Sequence, residues 1–291
     1  MIEKLNIVVL GASGMLGSAV FRYLSENTHH TVRGTTRSVA AKKQLSTKLQ
    51  SMVIEGIDVE QTDSLITLFS EFRPDVVVNC VGLVKQLKTA HDPLVVLPVN
   101  SLLPHRLSTL CKAVGARLIH FSTDCVFSGD KGMYREEDKS DADDLYGRSK
   151  FIGEVTYPHC LTLRTSIIGH ELSGSRSLVG WFLSQTGAVD GYEKAIFSGL
   201  PTVEIAKVLA EFVLPNKELT GLYHLSAKPI NKYKLLLLIA KAYGKDIEIN
   251  RSSRVVIDRS LDSSRFQSAT SYVPPTWSEL IDTCEHSNNS F

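Results

Sequence analysis

The chain has 291 residues, 43% of them hydrophobic and 22% charged, which allows a substantial buried core and excludes a disordered or low-complexity chain. Its 32 Lys and Arg against 31 Asp and Glu give a net charge of +1, so no bulk field draws it to nucleic acid or to an anionic membrane.

Short apolar runs bounded by turn residues alternate with longer amphipathic ones through the first 165 residues. Residues 7–10, 31–36, 52–54, 75–80, 117–122 and 161–165 read as strands, and 15–25, 39–49, 63–72, 102–114 and 145–155 carry helical spacing. This alternation predicts an α/β fold, a Rossmann-type doubly wound parallel sheet with helices on both faces. Asp75-Val76-Val77-Val78 does not alternate after its first residue, as befits a strand covered on both sides. After residue 165 the rhythm loosens. Residues 177–185 and 203–213 look helical, 222–225 is a short strand, 232–243 is a strongly apolar helix, and 245–276 has little periodicity. The expected organisation is an NADP-binding Rossmann domain over 1–165, with a return strand near 221–226, and a smaller, mainly substrate-binding C-terminal lobe over 166–291.

Gly11-Ala12-Ser13-Gly14-Met15-Leu16-Gly17 follows the first strand and opens the first helix. A dinucleotide's pyrophosphate can sit at such a helix start, facing free N–H groups and the positive end of the dipole. The second strand ends in Thr35-Thr36-Arg37-Ser38, followed by Lys42-Lys43, with no acidic residue between Thr28 and Gln50. Basic and hydroxyl groups suit a 2′-phosphate, so NADPH is the expected cofactor, with NADH the alternative. Asp58, followed by Val59, is a candidate for the adenine end, and a plain loop carboxylate accounts for it equally well.

Tyr146-Gly147-Arg148-Ser149-Lys150 sets a phenol and an ammonium four residues apart, on one helix face. A neighbouring positive charge is expected to lower the tyrosine pKa and make Tyr146 an acid/base near neutral pH. Phe121-Ser122-Thr123-Asp124 ends the fifth strand, where open α/β sheets place ligand-binding groups, so the Thr123 hydroxyl could hold a substrate carbonyl toward Tyr146.

Taken in order, these segments resemble the extended short-chain dehydrogenases/reductases, and within them the dTDP-4-dehydrorhamnose reductase group. The resemblance is carried by Gly11–Gly17, Ser122–Gly129, Tyr146–Lys150 with Gly153-Glu154, and Leu163-Arg164-Thr165-Ser166. Gly199-Leu200-Pro201-Thr202, Gly221-Leu222-Tyr223-His224-Leu225 and Leu261-Asp262-Ser263-Ser264 extend it into the C-terminal lobe. The resemblance implies a catalytic set of Thr123, Tyr146 and Lys150, and hydride transfer to the C4 ketone of a nucleotide-linked 4-keto-6-deoxy sugar. It implies cofactor contacts from Gly11, Ser13, Gly14, Met15, Leu16, Gly17, Arg37, Asp58 and Val59. Cys80, Val81 and Gly82 would cross beneath the cofactor, and Asn100, Tyr146 and Lys150 would lie at its nicotinamide end. A helix N-cap is the other reading of Asn100. Substrate contacts would come from Lys85, Thr123, Asp124, Cys125, Arg164 and Ser166, and a buried ion pair is the other reading of Arg164.

Three positions depart from the group's pattern: Cys125 replaces a usual tyrosine, residues 81–86 replace an alanine-rich stretch, and Ile167 replaces a frequent tryptophan. The rival functions on this scaffold are a 4,6-dehydratase, a 4-epimerase and a non-catalytic NADP-binding regulatory subunit. Cys125 stands where dehydratases carry Glu, and the basic end of the second strand favours exchangeable NADPH over the retained NAD of an epimerase.

Five cysteines, odd in number and without a C-x-x-C pair, argue against a disulfide framework or a structural zinc site, and no metal is assigned. No apolar run approaches the ~20 residues that span a bilayer, and the start leads straight into a strand, so a cytoplasmic protein is expected. The sequon Asn288-Asn289-Ser290 reads as an accident of a polar tail. The expected partners are a nucleotide-sugar substrate and, at most, a second copy in a homodimer; no nucleic acid or membrane partner is expected.

Overall fold

In a computed structural model that describes residues 3–85 and 88–288, the β-branched runs form the centre of the molecule. Gln86 of the divergent stretch, and Asn289 and Ser290 of the sequon, lie outside the described residues. The strands in chain order are β1 (Asn6–Leu10), β2 (Thr31–Thr36), β3 (Val53–Glu55), β4 (Val76–Asn79), β5 (Arg117–Ser122) and β6 (Cys160–Arg164). They continue as β7 (Ile167–Ile168), β8 (Ala188–Phe197), β9 (Leu200–Pro201), β10 (Gly221–His224), β11 (Ile230–Asn231) and β12 (Glu248–Asp258). Seven of them make one parallel sheet in the order β10-β6-β5-β4-β1-β2-β3, so the chain reverses direction between β1 and β4. Crevices at such a switch point, outside the strand C-termini, are where doubly wound sheets bind ligands.

Both faces of the sheet are covered, and β1 shows why its sequence lacks alternation. Ile7 and Val9 pack with Val20, Phe21 and Leu24 of the first helix, Met15–Asn27. Val8 and Leu10 face the opposite way, against Leu65 and Phe69 of Thr62–Phe72 and Leu103 and Leu107 of Leu103–Val114. All four strand residues are fully buried, and a strand buried on both sides has no polar face to alternate with.

A second, three-stranded sheet, β11-β8-β12, packs with Leu235, Leu236 and Ile239 of the helix Lys232–Ala242 over a separate core. Here the structure departs from the sequence reading. Residues 245–276 hold β12, the longest strand, and the helix Ser264–Thr270. β12 is an edge strand whose exposed Arg251 and Arg254 reach Glu193 and Asp190 of β8, and a register shift between Ser252 and Val256 breaks its periodicity. The predicted helix over 39–49 is two short turns, Val39–Lys42 and Thr47–Gln50. Among the described residues no helix is long and apolar enough to cross a membrane.

Candidate active site

β1 and β4 run in register to Leu10 and Asn79, so the chain leaves both strands side by side. Gly11 turns with φ +79°, and a Cβ there would lie 3.0 Å from the Val81 side chain. At Gly17 a Cβ would fall inside the Gly11 carbonyl, so only glycine lets the first helix approach the strand end this closely. The helix thus starts at the switch point, with the first-turn N–H groups of Met15 and Leu16 aimed outward, where no earlier helical carbonyl can accept them. Gly14, Met15, Leu16, Cys80, Val81 and Gly82 line one end of a cleft of about 650 Å³.

Thr123, Tyr146 and Lys150 meet in the middle of this cleft. Asp144 caps the helix Leu145–Ile152 by accepting the Gly147 N–H at 2.7 Å, which fixes the turn that presents Tyr146. The Thr123 side chain favours the ionised form of the Tyr146 phenol, against the effect of burial. Thr123 itself caps the turn after β5, accepting the Cys125 N–H at 3.1 Å and donating to Asp124 at 3.2 Å. Lys150 is buried and donates to the Phe121 carbonyl at 2.7 Å.

The electrostatics correct one expectation. Lys150 does not lower the tyrosine pKa; burial, with Cys125, Asp124 and Asp144 adding to it, pushes the phenol up. The reason is geometric: the lysine shares the helix face with Tyr146 but extends down to the end of β5, and its own pKa is pulled to about 8 by burial, against the pull of Glu154. A phenol of raised pKa keeps its proton at neutral pH and is poised to give it to a developing alkoxide. Burial also raises the Asp124 carboxyl, against the Arg259 charge.

The remaining expected residues divide. Ser166 lines the cleft. Lys85 does too, but its ammonium lies 2.6 Å from Asp144, so it braces the cap of the helix Leu145–Ile152. Arg164 is corrected: it does not line the cleft. It is 2% exposed and grips Glu154 through two 2.7 Å bonds, with the His224 ring at 3.3 Å, because β5, β6 and β10 bring Ser122, Arg164 and His224 into one register row. Asn100 is corrected as well. Its buried amide accepts the Leu83 N–H at 2.9 Å and donates to the Leu83 carbonyl and to Ser149, so it ties the loop after β4 to the helix Leu145–Ile152 and is neither in the cleft lining nor an N-cap.

Arg37, Asp58 and Val59 lie outside the cleft lining, beyond the C-terminal ends of β2 and β3. Arg37 is exposed, and Asp58 accepts the Glu60 N–H at 3.0 Å in its own turn. Glu55 at the end of β3 sits in register with Thr36 and meets Lys42 at 3.5 Å, an acidic neighbour that the run from 28 to 50 does not reveal.

The cleft is also lined by residues that the sequence reading missed: Ile196 and Phe197 of β8, Ile257 of β12, the cations Arg176, Lys232 and Arg259, and Glu171, which pairs with Arg176 at 3.9 Å. Arg259 donates to the Phe127 carbonyl at 2.7 Å and points its guanidinium at the Cys125 sulfur, 3.8 Å away. Cys125 therefore has a basic neighbour that its flanking residues do not show, although burial still holds its thiol up at about 12, so it stays protonated. The only sequence signal near Arg259 was the Leu261-Asp262-Ser263-Ser264 segment just beyond it.

A family model described as the RmlD substrate binding domain matches residues 5–284. The probable low-salt glycan biosynthesis reductase Agl14 of Haloferax volcanii is 31% identical over 190 residues, which are 62% of this chain and 61% of that protein, so the chain spans less than two thirds of that relative. The methionine adenosyltransferase 2 subunit beta of Bos taurus is 24% identical over 255 residues, 83% of this chain and 73% of the relative. A solved dTDP-4-dehydrorhamnose reductase (rfbD) from Bacillus anthracis str. Ames, in complex with NADP, superposes with a TM-score of 0.81 at 18% identity, covering 98% of this chain and 99% of that one.

Proposed function

The chain belongs to the RmlD substrate binding domain family, and from that membership we propose that it is an NADPH-dependent reductase of a nucleotide-linked 4-keto-6-deoxy sugar, acting in deoxysugar or polysaccharide biosynthesis. The observation that carries this reading is the meeting of Thr123, Tyr146 and Lys150 in one cleft, lined also by the glycine turn and by further cations.

The glycine turn fits a dinucleotide: N–H groups at a helix start without a helical acceptor, beside Gly82, where an added Cβ would come to 3.6 Å from Asn100 Oδ1 and 3.9 Å from the Lys150 ammonium. Bound there, a reduced nicotinamide would supply the hydride. Lys150 would hold the nicotinamide ribose hydroxyls and contribute positive charge. Thr123 would turn its hydroxyl from Asp124 to the ketone oxygen and hold it against the phenol. Tyr146 would pass its proton to that oxygen as the carbonyl becomes an alkoxide. Lys232 and Arg259, with Arg176 beside its partner Glu171, suit the diphosphate of a sugar nucleotide, and Ile196, Phe197 and Ile257 give the sugar an apolar surface. The reductase named among the relatives supports this chemistry. Likeness to a protein named as a subunit supports the other reading, a non-catalytic partner protein; the complete set of three groups favours the enzyme.

Consumption of NADPH on addition of a 4-keto-6-deoxy nucleotide sugar tests the proposal, with dTDP-, UDP- and GDP-linked sugars compared. Failure with every sugar, with NADPH nonetheless bound, would favour the partner-protein reading.

Two expectations concern the cofactor alone. Removing the exposed cation in Arg37→Ala should weaken NADPH binding about tenfold, the loss of one charge-assisted hydrogen bond, and leave NADH binding unchanged. Equal effects on both cofactors in a fluorescence titration would place the 2′-phosphate elsewhere. NADPH binding should also depend on pH. Lys150, at about 8, is charged below that pH and neutral above it, so affinity should fall as pH rises through about 8. The raised tyrosine does not titrate in this window. An affinity flat from neutral to alkaline pH would contradict the role given to Lys150.

A further inference from the structure

The short turn Asp124–Val126 has Thr123 as its N-cap and Phe127 as its C-cap, and a side chain from the far end of the chain holds it at two points. Arg259 Nε donates to the Phe127 carbonyl at 2.7 Å, and Nη1 lies 3.8 Å from the sulfur of Cys125. The N–H of that same cysteine goes to the Thr123 hydroxyl at 3.1 Å, and the Phe127 N–H returns to the Asp124 carbonyl at 3.0 Å. The turn that fixes the Thr123 side chain is thus a closed unit with one arginine laid across it.

These contacts leave the charge of the arginine unmatched. Among the described residues Arg259 bonds a carbonyl and a thiol and no carboxylate, and it lines the cleft. The carboxylates nearby have other partners: Asp144 pairs with Lys85, Asp124 accepts from Thr123, and Glu171 lies against Arg176. Register supplies a second cation. Ile196 of β8 pairs with Asn231 of β11 on one side and with Asp258 of β12 on the other, so the next residues, Lys232 and Arg259, flank the end of β8 from both sides. The Lys232 side chain has no hydrogen-bond or ion-pair partner among the described residues, and it lines the cleft too. Two half-buried cations without a protein anion leave the counter-charge to a ligand. Only one of them, Arg259, is also tied to the Thr123 turn.

We propose that Arg259 is a positioning residue that couples recognition of the diphosphate to the placing of Thr123: one part of its guanidinium takes the diphosphate of the sugar nucleotide while the other holds the turn that fixes the threonine hydroxyl. Lys232 adds affinity without that coupling. Binding of a part of the substrate that does not react then orients the group that meets the ketone. An arginine that merely anchored the turn would need neither a place in the cleft nor an unmatched charge. This inference rests on the nucleotide-sugar reading of the same cleft.

The test follows the Cys125 amide in protein labelled with ¹⁵N-cysteine, where five cysteines give five signals and Cys125→Ser assigns the one. Its hydrogen exchange is measured under saturating NADP⁺, without and with dTDP, UDP or GDP, whichever binds wild type most tightly by calorimetry. In wild type the nucleoside diphosphate should slow the exchange about tenfold, as the Thr123 cap tightens. Arg259→Met should bind it about tenfold more weakly, the loss of one charge-assisted bond, and at saturation show no slowing. Lys232→Met should bind it more weakly by a similar factor and at saturation show the slowing of wild type. Where Arg259→Met loses the native circular-dichroism spectrum, Arg259→Lys decides: it should keep affinity within a few-fold and lose the slowing, because one ammonium cannot replace the fork that bonds both the turn and a phosphate. With a sugar that turns over, the loss should fall on kcat as well as KM for Arg259→Met, and on KM for Lys232→Met. Slowing that persists in a folded Arg259 variant overturns the proposal, and so does unfolding of both variants, which would assign the arginine to the fold. A wild type that binds a nucleoside diphosphate with no response at Cys125 loses the coupling alone; one that binds none of the three loses the nucleotide-sugar reading with it.

Discussion

Tyr146→Phe should reduce the rate of ketone reduction by about 10²–10⁴-fold, the usual worth of a positioned general acid, while NADPH binds as before. The change removes one oxygen, the one that would carry the transferable proton, and keeps a ring of nearly the same shape. Lys150 and the glycine turn, which would hold the cofactor, are untouched, so the loss should fall on kcat. Stopped-flow absorbance with saturating sugar nucleotide measures it. A variant that keeps most of its rate would move the proton to another donor, and Asp124, raised by burial and lining the same cleft, would be the first to examine.

Arg164→Met should produce the largest loss of stability, about 3–5 kcal/mol, the cost of leaving a buried carboxylate without its partner. Glu154 is 6% exposed and would keep only the Ser122 bond. For a chain of this size the melting temperature should fall by on the order of 10 °C. Glu154→Gln/Arg164→Met should recover most of that loss, because an uncharged pair has no isolated ion to desolvate. Thermal and urea melts of both variants settle it: a single variant as stable as wild type would mean that the row Ser122, Arg164, His224 tolerates an unpaired charge.

The parallel sheet was legible because its strands are buried on both sides and its helices on one, and those two burials write different periods into the residues. β4 with its valines and the helix Thr62–Phe72 are the plain cases. That Thr123, Tyr146 and Lys150 line one cleft was legible for a similar reason: a threonine at a strand end and a tyrosine and lysine one helical turn apart are local patterns. What escaped was long-range. β12 could not be read because it pairs with a strand about 60 positions earlier and a register shift breaks its period, and Arg259 follows directly on that pairing. The resemblance placed Arg164 and Asn100 at the ligand, with a buried ion pair as the other reading of Arg164. Their partners Glu154, Leu83 and Ser149 decide otherwise, and those contacts depend on strand register and helix packing. The pKa of Tyr146 was misjudged for the same reason, since helix spacing gives the distance along the surface and not the depth to which Lys150 is drawn.

The most direct test of the account follows the hydride itself. Protein is mixed with NADPH carrying deuterium at nicotinamide C4 and with a 4-keto-6-deoxy nucleotide sugar, and the product is examined by NMR and mass spectrometry. The account predicts one deuterium at sugar C4, beside a new hydroxyl, for each NADPH consumed. A sugar recovered without deuterium, or deuterium appearing at any other carbon, would contradict it.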